Sequence, residues 1–341
     1  MRSSKRNIIS RLMGAALCVA SICLAFSSCE LIYEDLDPCE HGVSLRFVYD
    51  YNMEYANAFP KQVDCLTLYI YDEEGNYVDT KVVTGKELQD ENYRMTLDLE
   101  EGNYHFVAYG GLACAESSFS VTQTPTQGSK QTDLRAKMDD DCLTVPARRK
   151  LHDMFWGELT LATADLYREG TVEMMKNTNT IRIILQQMDG VTVEVDKFEF
   201  TITDDNGLMN YDNKLLEDET LTYYPYYRTQ GGTDMGTRAD GEEEDSNISV
   251  AIAQITVGRL VVENNPRLTI TNKETGEPVL SIPLVKYLLL TEAEGHDMTN
   301  QEYLDRQDEY NMTFFLDESM KWIQTSIIIN DWVVRFNDMD M

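Results

Sequence analysis

Few residues in this sequence are placed to do chemistry. The four histidines, His41, His105, His152 and His296, are scattered, and none stands in the HExxH or HxH spacing that brings two imidazoles onto one metal. No GxSxG elbow, P-loop or GxGxxG run occurs. With 59 Asp+Glu in the chain, an acid–base pair chosen without geometry carries no specificity. The acidic block Glu242–Asp245 lacks the alternating ligand spacing of a calcium loop and reads as solvated chain. His105, inside an alternating stretch, reads as a sheet-surface histidine. The expectation is a protein with no enzymatic activity, no cofactor and no metal site.

Cysteine chemistry is more informative. Arg2, Lys5, Arg6 and Arg11 precede an apolar run from Leu12 to Phe26, followed by Ser27, Ser28 and Cys29. A basic start, a short apolar core and small residues before a cut are the layout of a secretory signal. The run is about 15 residues where roughly 20 are needed to span a bilayer. Leu24-Ala25-Phe26-Ser27-Ser28-Cys29 resembles a bacterial lipobox, in which the cysteine is acylated and becomes the first residue of the mature chain. Acyl chains contribute about 0.8 kcal/mol per buried methylene, so two or three hold a protein on a membrane almost permanently. Residues 1–28 are thus expected to be a lipoprotein signal peptide, and Cys29 the lipidation site. Residues 29–42, with Glu30, Glu34, Asp35 and Asp37, read as an acidic tether. Of seven cysteines, Cys18 and Cys23 leave with the signal, and Cys39, Cys65, Cys114 and Cys142 remain. No CxxC spacing suggests a redox motif or a zinc site, and four cysteines in an oxidising compartment allow three pairings. Cys114 and Cys142, both in a polar loop region, are the expected disulfide, with buried or free thiols as the alternative.

The elements that position these residues have period two rather than 3.6. Phe198, Phe200 and Ile202 alternate with Glu199, Thr201 and Thr203, and Leu66, Leu68 and Ile70 alternate with Thr67, Tyr69 and Tyr71. Both read as half-buried antiparallel strands. Asp72-Glu73-Glu74-Gly75-Asn76 is a turn signal, and Asp204-Asp205-Asn206-Gly207 and Lys273-Glu274-Thr275-Gly276 are hairpin signals. Strands recurring every ten to fifteen residues predict an all-β protein of sandwich type. Residues 43–178 and 179–341 read as two such units, with a flexible insert over 229–246 in the second. Thr299–Glu309 has a thin helical face, and Cys114–Lys150 is polar and aperiodic. In that stretch Arg148-Arg149-Lys150 reads as an ordinary solvated turn. The formal charge of −30 excludes a nucleic-acid binder, because such a surface repels phosphate. Loss of the four cations of residues 1–28 deepens it to −34. The tyrosine run Tyr223–Tyr227 reads as a sheet-edge strand, with a sugar-stacking platform as the alternative.

One stretch is far more specific. Cys39 to Met53 runs through Phe47-Val48-Tyr49-Asp50-Tyr51-Asn52-Met53, then Tyr55-Ala56-Asn57-Ala58-Phe59, Val63-Asp64, and Leu66-Thr67-Leu68-Tyr69-Ile70-Tyr71-Asp72. Together with Glu101 to Gly111, His152-Asp153-Met154-Phe155-Trp156-Gly157 and the closing Ile327-Ile328-Ile329-Asn330-Asp331-Trp332, it resembles the FimB-type minor fimbrial anchor subunits of fimbriae built from lipoprotein fimbrillins. The resemblance implies two tandem transthyretin-like β-sandwiches and no enzymatic activity. It implies a lipid-held protein of the cell outer membrane that seats a fimbria, limits its length and pairs strands with fimbrillin subunits. The segment Trp322–Phe336 is the candidate partner strand, with Trp322, Ile323, Ile327, Ile329, Trp332 and Val334 as its apolar residues. An ordinary core strand is the alternative. A surface glycan-binding lipoprotein and a fimbrial tip adhesin are the competing functions.

Overall fold

The computed structural model describes residues 42–163, 167–187, 191–234, 247–290, 298–330 and 332–335. The fold is all-β: most of the described residues that form regular structure are in strands, and the helices are few and short. The first stretch supplies β1 (Val43–Val48), β2 (Leu66–Asp72), β3 (Tyr77–Val83), β4 (Met95–Leu97), β5 (Asn103–Gly110), β6 (Phe119–Val121), β7 (Arg135–Met138), β8 (Phe155–Ala162) and β9 (Arg168–Lys176). A four-residue helix, α1 (Phe59–Gln62), precedes β2. The later chain supplies β10 (Thr178–Gln187), β11 (Phe198–Asp204), β12 (Leu208–Asn210), β13 (Leu221–Tyr223), β14 (Tyr227–Asp234) and β15 (Asn247–Gly258). It ends with β16 (Arg267–Asn272), β17 (Pro278–Pro283), α2 (Leu284–Leu288), α3 (Asn300–Arg306), β18 (Glu309–Leu316), β19 (Trp322–Ile329) and β20 (Trp332–Arg335).

Four sheets result. A seven-stranded sheet has the order β3-β2-β5-β8-β9-β1-β4. Two others, β14-β15-β10-β18-β19-β20 and β13-β11-β16-β17, are built from residues after 177. The same device sets both large sheets. β1 pairs in parallel with β9, and β10 pairs in parallel with β18, while their other pairings are antiparallel. The strand that opens each half is therefore held inside its sheet by a later strand of the same half running parallel to it.

The seven-stranded sheet wraps a core of its own. Leu66, Leu68 and Ile70 of β2, Phe106 and Ala108 of β5, Phe155 of β8 and Val43, Leu45 and Phe47 of β1 point into it. Phe59 of α1 stacks on Phe47 with ring centroids 5.8 Å apart. β2 departs from its expected half-buried state, because Thr67, Tyr69 and Tyr71 on the opposite face are also buried. The reason is a second, larger core. Tyr69, Tyr71, Val107 and Tyr109 pack together with Phe119, Leu134, Ala136 and Met138 from the loop region, and this core continues into Ile181, Phe200, Ile255, Phe314 and Ile327.

That loop region was expected to be polar and aperiodic. It instead forms a small third layer, β12-β7-β6, in which Leu208↔Lys137 and Met209↔Ala136 pair across the two halves of the chain. This also corrects the hairpin read from Asp204-Asp205-Asn206-Gly207. After that turn the chain leaves β11 and joins β7, because Asn206 is buried, accepting from Tyr223 Oη and donating to the carbonyl of Arg259. The first residues of the expected flexible insert are also ordered. Thr229↔Ile252 through Asp234↔Asn247 extend the β14–β15 ladder, because β15 is twelve residues long and offers them an edge. Residues 235–246 of that insert lie outside the described residues.

Candidate functional site

Two of the stretches that made the sequence recognisable, Tyr49–Phe59 and His152–Gly157, lie at the seam between the two halves. The segment after β1 is a compact loop tied by its own asparagines. Asn52 Nδ2 donates to the carbonyls of Tyr49 and Ala56, and Asn57 Oδ1 accepts from the amides of Tyr49 and Phe59. The loop thereby presents two tyrosine rings to one cation. The Arg306 guanidinium, at the end of α3, lies 4.0 Å from the Tyr51 ring centroid and 4.6 Å from that of Tyr55. Its Nε is held 2.8 Å from Glu302 one turn earlier. α3 begins at Thr299, whose hydroxyl accepts from the Glu302 amide as an N-cap.

Beside it, Lys176 at the end of β9 reaches Asp153 at 3.1 Å and Asp308 at 2.8 Å. Burial alone would lower the Lys176 ammonium's affinity for its proton. Attraction to the two carboxylates outweighs it, and the net shift is upward. Arg259 makes a two-pronged pair with Asp305, Nε to Oδ1 and Nη2 to Oδ2, each at 3.0 Å, and also donates to the carbonyl of Asn213. Asn213 and the fully buried Asn177 exchange amide hydrogen bonds at 2.7 and 3.0 Å. Trp156 Nε1 donates to the carbonyl of Tyr211 at 2.9 Å. The two stretches His152–Gly157 and Tyr49–Phe59 are thus seam-building sequence. Desolvated, charge-assisted bonds of this kind fix relative orientation as well as energy.

The expected site residues fare differently. Cys29 lies outside the described residues. Cys114 bonds to Cys65 rather than to Cys142. β2 and β5 are adjacent with Leu66 opposite Gly110, so the residue before β2 and the loop after β5 are neighbours, with Cα atoms 5.5 Å apart. Cys142 is a buried free thiol in the turn Asp140–Leu143. The apolar C-terminal residues do not form one exposed arm. β19 lies between β18 and β20, Ile327 and Ile329 are fully buried, and Trp322 packs edge-on against Phe314 at 5.6 Å. Ile323 is half-exposed on β19. Trp332 and Val334 fall on β20, which forms the rim of the six-stranded sheet. Asn330, in left-handed conformation with φ 46°, makes the tight turn between β19 and β20.

The tyrosine run is not a platform. Tyr223 is buried against Asn206, Tyr224 lies under the Arg148 guanidinium at 4.1 Å, and Tyr226 Oη donates to Gln254. Tyr227 alone is exposed, and it starts β14. Arg148 and Arg149 also donate to the carbonyls of Leu143 and Ser117, so the basic turn is tied to the body. His105 Nδ1 meets Thr160 Oγ1 at 2.8 Å on the sheet surface. No helix among the described residues is long and apolar enough to cross a membrane. Sequence reasoning missed the seam ion pairs. Lys176 and Asp308 are 132 positions apart, and nothing in their local pattern joins them.

Known proteins place this arrangement. The chain is 21% identical over 304 residues to the minor fimbrium anchoring subunit Mfa2 of Porphyromonas gingivalis, covering 85% of this chain and 84% of that one. The solved structure of the P. gingivalis fimbrial anchor protein Mfa2 superposes with a TM-score of 0.62 at 15% identity, over 87% of this chain and 99% of that one, a likeness of fold. A candidate adhesin of Bacteroides thetaiotaomicron is 57% identical, with a TM-score of 0.83, over 89% of this chain and all of that one. A candidate polysaccharide-binding protein from the same organism is 31% identical, with a TM-score of 0.75 and the same coverage. The profile of the fimbrillin-A associated anchor proteins Mfa1 and Mfa2 matches residues 36–338, nearly the whole body including the seam and both rims, and the chain belongs to that fimbrium-associated family.

Proposed function

We propose that this protein is a fimbrial anchor. Cys29 carries the lipid, residues 29–42 form a short acidic tether, and the body seats a fimbria at the outer membrane. Residues 43–178 and 179–341 act as two sandwich units locked by the seam, so that a pull on the filament reaches the lipid end without parting them. The fimbrillin is bound by strand addition, in which main-chain hydrogen bonds give affinity and side-chain pockets give register. Length is limited because a chain held by its lipid end ends the series.

The observation that carries this reading is β20. Ile329↔Trp332 closes a two-residue hairpin, so in the antiparallel alternation Val333, opposite Ile328, turns its amide and carbonyl away from β19. Val333 is 56% exposed. An apolar strand at a sheet rim with a free ladder side is a receptor for an extended partner segment.

The test cuts the chain after Asn330, which removes β20 and leaves the buried Ile327 and Ile329 in place. The truncated chain is expected to fold and to lose co-purification with fimbrillin. Capture at the full-length level by a folded truncated chain rules out β20. A second reading, a surface adhesin or glycan binder, draws on the descriptions of the two B. thetaiotaomicron relatives and on exposed Tyr227. Immunogold label at filament tips, or saturable oligosaccharide binding lost on Tyr227→Ala, would favour it over the anchor.

A further inference from the structure

Three side chains from separate stretches meet at one end of the seven-stranded sheet. Asp64 precedes β2, Cys114 lies in the loop after β5, and His152 precedes β8. Their Oδ1, Sγ and Nε2 atoms all lie within 4.8 Å of one another. His152 Nε2 is 3.2 Å from Asp64 Oδ1, and Cys114 Sγ is 2.9 Å from the same oxygen. A disulfide sulfur has no hydrogen to give, so the sulfur–oxygen contact is an approach of two electron-rich atoms and not a hydrogen bond. Cys65 adds a second sulfur, since it is bonded to Cys114. Two sulfurs, an imidazole nitrogen and a carboxylate oxygen are a full tetrahedral set for a borderline-soft divalent cation.

We propose that Cys65, Cys114, His152 and Asp64 form a redox-gated site for zinc, closed while the disulfide is intact and open once it is reduced. A dithiol reductant supplies two electrons and two protons. The Cys65–Cys114 bond breaks, each sulfur takes a proton, and the reductant leaves as its cyclic disulfide. Zn2+ then displaces the two thiol protons and takes the lone pair of neutral His152 and one Asp64 oxygen, with no change in its own oxidation state.

Main-chain hydrogen bonds fix three of the four donor residues. The carbonyl of Cys65 accepts from Gly111, the carbonyl of Cys114 accepts from Ser117, and the amide of His152 donates to Ser118 Oγ at 2.9 Å. Cys65 is buried, whereas Asp64 is exposed and Cys114 and His152 are partly so, which leaves a path for the ion from solvent. Asp64 lines both the surface pocket that holds Cys65 and Cys114 and the one that holds His152, so the two openings meet at the proposed site. The chain thus has two alternative staples for one junction, a covalent one under oxidising conditions and a metal under reducing ones.

The full chain is reduced, freed of excess reductant without air, and titrated with Co2+ as a spectroscopic stand-in for Zn2+. About one Co2+ per chain should bind with thiolate-to-cobalt charge-transfer absorption, and the oxidised chain should show none. The Cys65→Ser/Cys114→Ser variant should lose that absorption, whereas Cys142→Ser should keep it. His152→Ala should weaken binding at least ~10-fold. Zn2+ should raise the melting temperature of the reduced chain and leave that of the oxidised chain unchanged. Absorption that persists in the double cysteine variant, or a reduced chain whose melting temperature ignores Zn2+, overturns the proposal.

Discussion

Asp204 is a carboxylate that this fold makes pay for its charge. It ends β11, is 5% exposed, and its Oδ2 has no hydrogen-bond partner. Its Oδ1 accepts from the Asp205 amide at 2.9 Å and from Asn264 at 3.2 Å. Burial pushes the carboxyl up from 3.8 to about 7, against the lowering effect of those two bonds and with the help of the neighbouring Asp205 charge. The native state therefore binds this proton more tightly than the unfolded chain does. Stability from this group is fully present below about pH 4, declines as pH rises, and is lost above about pH 7. A move from 3.8 to about 7 corresponds to at most ~4 kcal/mol. Asp204→Asn keeps the Oδ1 bonds and places an uncharged donor where Oδ2 stands, facing Asp205. Urea midpoints of the two proteins should coincide near pH 4 and separate with rising pH. By pH 8 the variant should be more stable by ~2–4 kcal/mol. Charges remote from this site are the same in both chains, so the difference reports on Asp204 and its contact with Asp205. A gap that does not change with pH, or an asparagine variant that is weaker at pH 8, would refute the assignment of a buried, proton-hungry Asp204.

Other perturbations probe the seam and the rim. Lys176→Met leaves Asp153 and Asp308 without their shared cation and should cost ~2–4 kcal/mol in urea unfolding. Arg306→Ala removes the cation from between Tyr51 and Tyr55 and should cost ~1–2 kcal/mol, whereas Arg306→Lys should retain part of it. Gly111→Ala should lower the melting temperature by several degrees, since Gly111 has φ +83° and an added Cβ would lie 1.9 Å from the Asp153 carbonyl oxygen.

The sequence reading reached the all-β fold through alternation and turn chemistry, and it failed where tertiary context overrode both. Gly75 and Gly276 sit in left-handed conformation in the turns that Asp72–Asn76 and Lys273–Gly276 announced. β6 and β7 escaped because strands of three and four residues are too short to show a period, and their burial comes from a sheet elsewhere in the chain. Tyr69 and Tyr71 looked solvent-facing because tyrosine carries a polar tip, yet a second layer covers them. The Cys65–Cys114 pairing depends on which strands are neighbours, which spacing alone does not fix. Of the candidate site, the recognisable stretches were legible as special but not as seam, since their partners lie in other elements far along the chain: Trp156 meets Tyr211, and Tyr51 and Tyr55 meet Arg306.

The sheet rims indicate where a partner strand can add. β3 carries Asp79 and Lys81, and charges on an edge discourage further pairing. β17 is bounded by Pro278 and Pro283, which cannot donate to a ladder. β4, β6, β12 and β13 are three residues each, too short for stable addition. The two rims of the six-stranded sheet, β14 and β20, lack proline and lysine. β14 has eight residues but includes Gly231 and Gly232, which weaken a strand, and Arg228, which faces Asp196 at 3.7 Å. β20 carries Val333 exposed and contains no glycine or proline, so it is the better candidate for the proposed pairing surface. A filament subunit in the middle of a series needs two pairing surfaces, whereas a terminal one needs a single surface. If β20 is that surface, Val333→Lys should abolish fimbrillin capture and Thr229→Lys should leave it unchanged. Loss of capture with Thr229→Lys alone would transfer the role to β14, and loss with both would mean that the anchor engages two neighbours and is not a terminus.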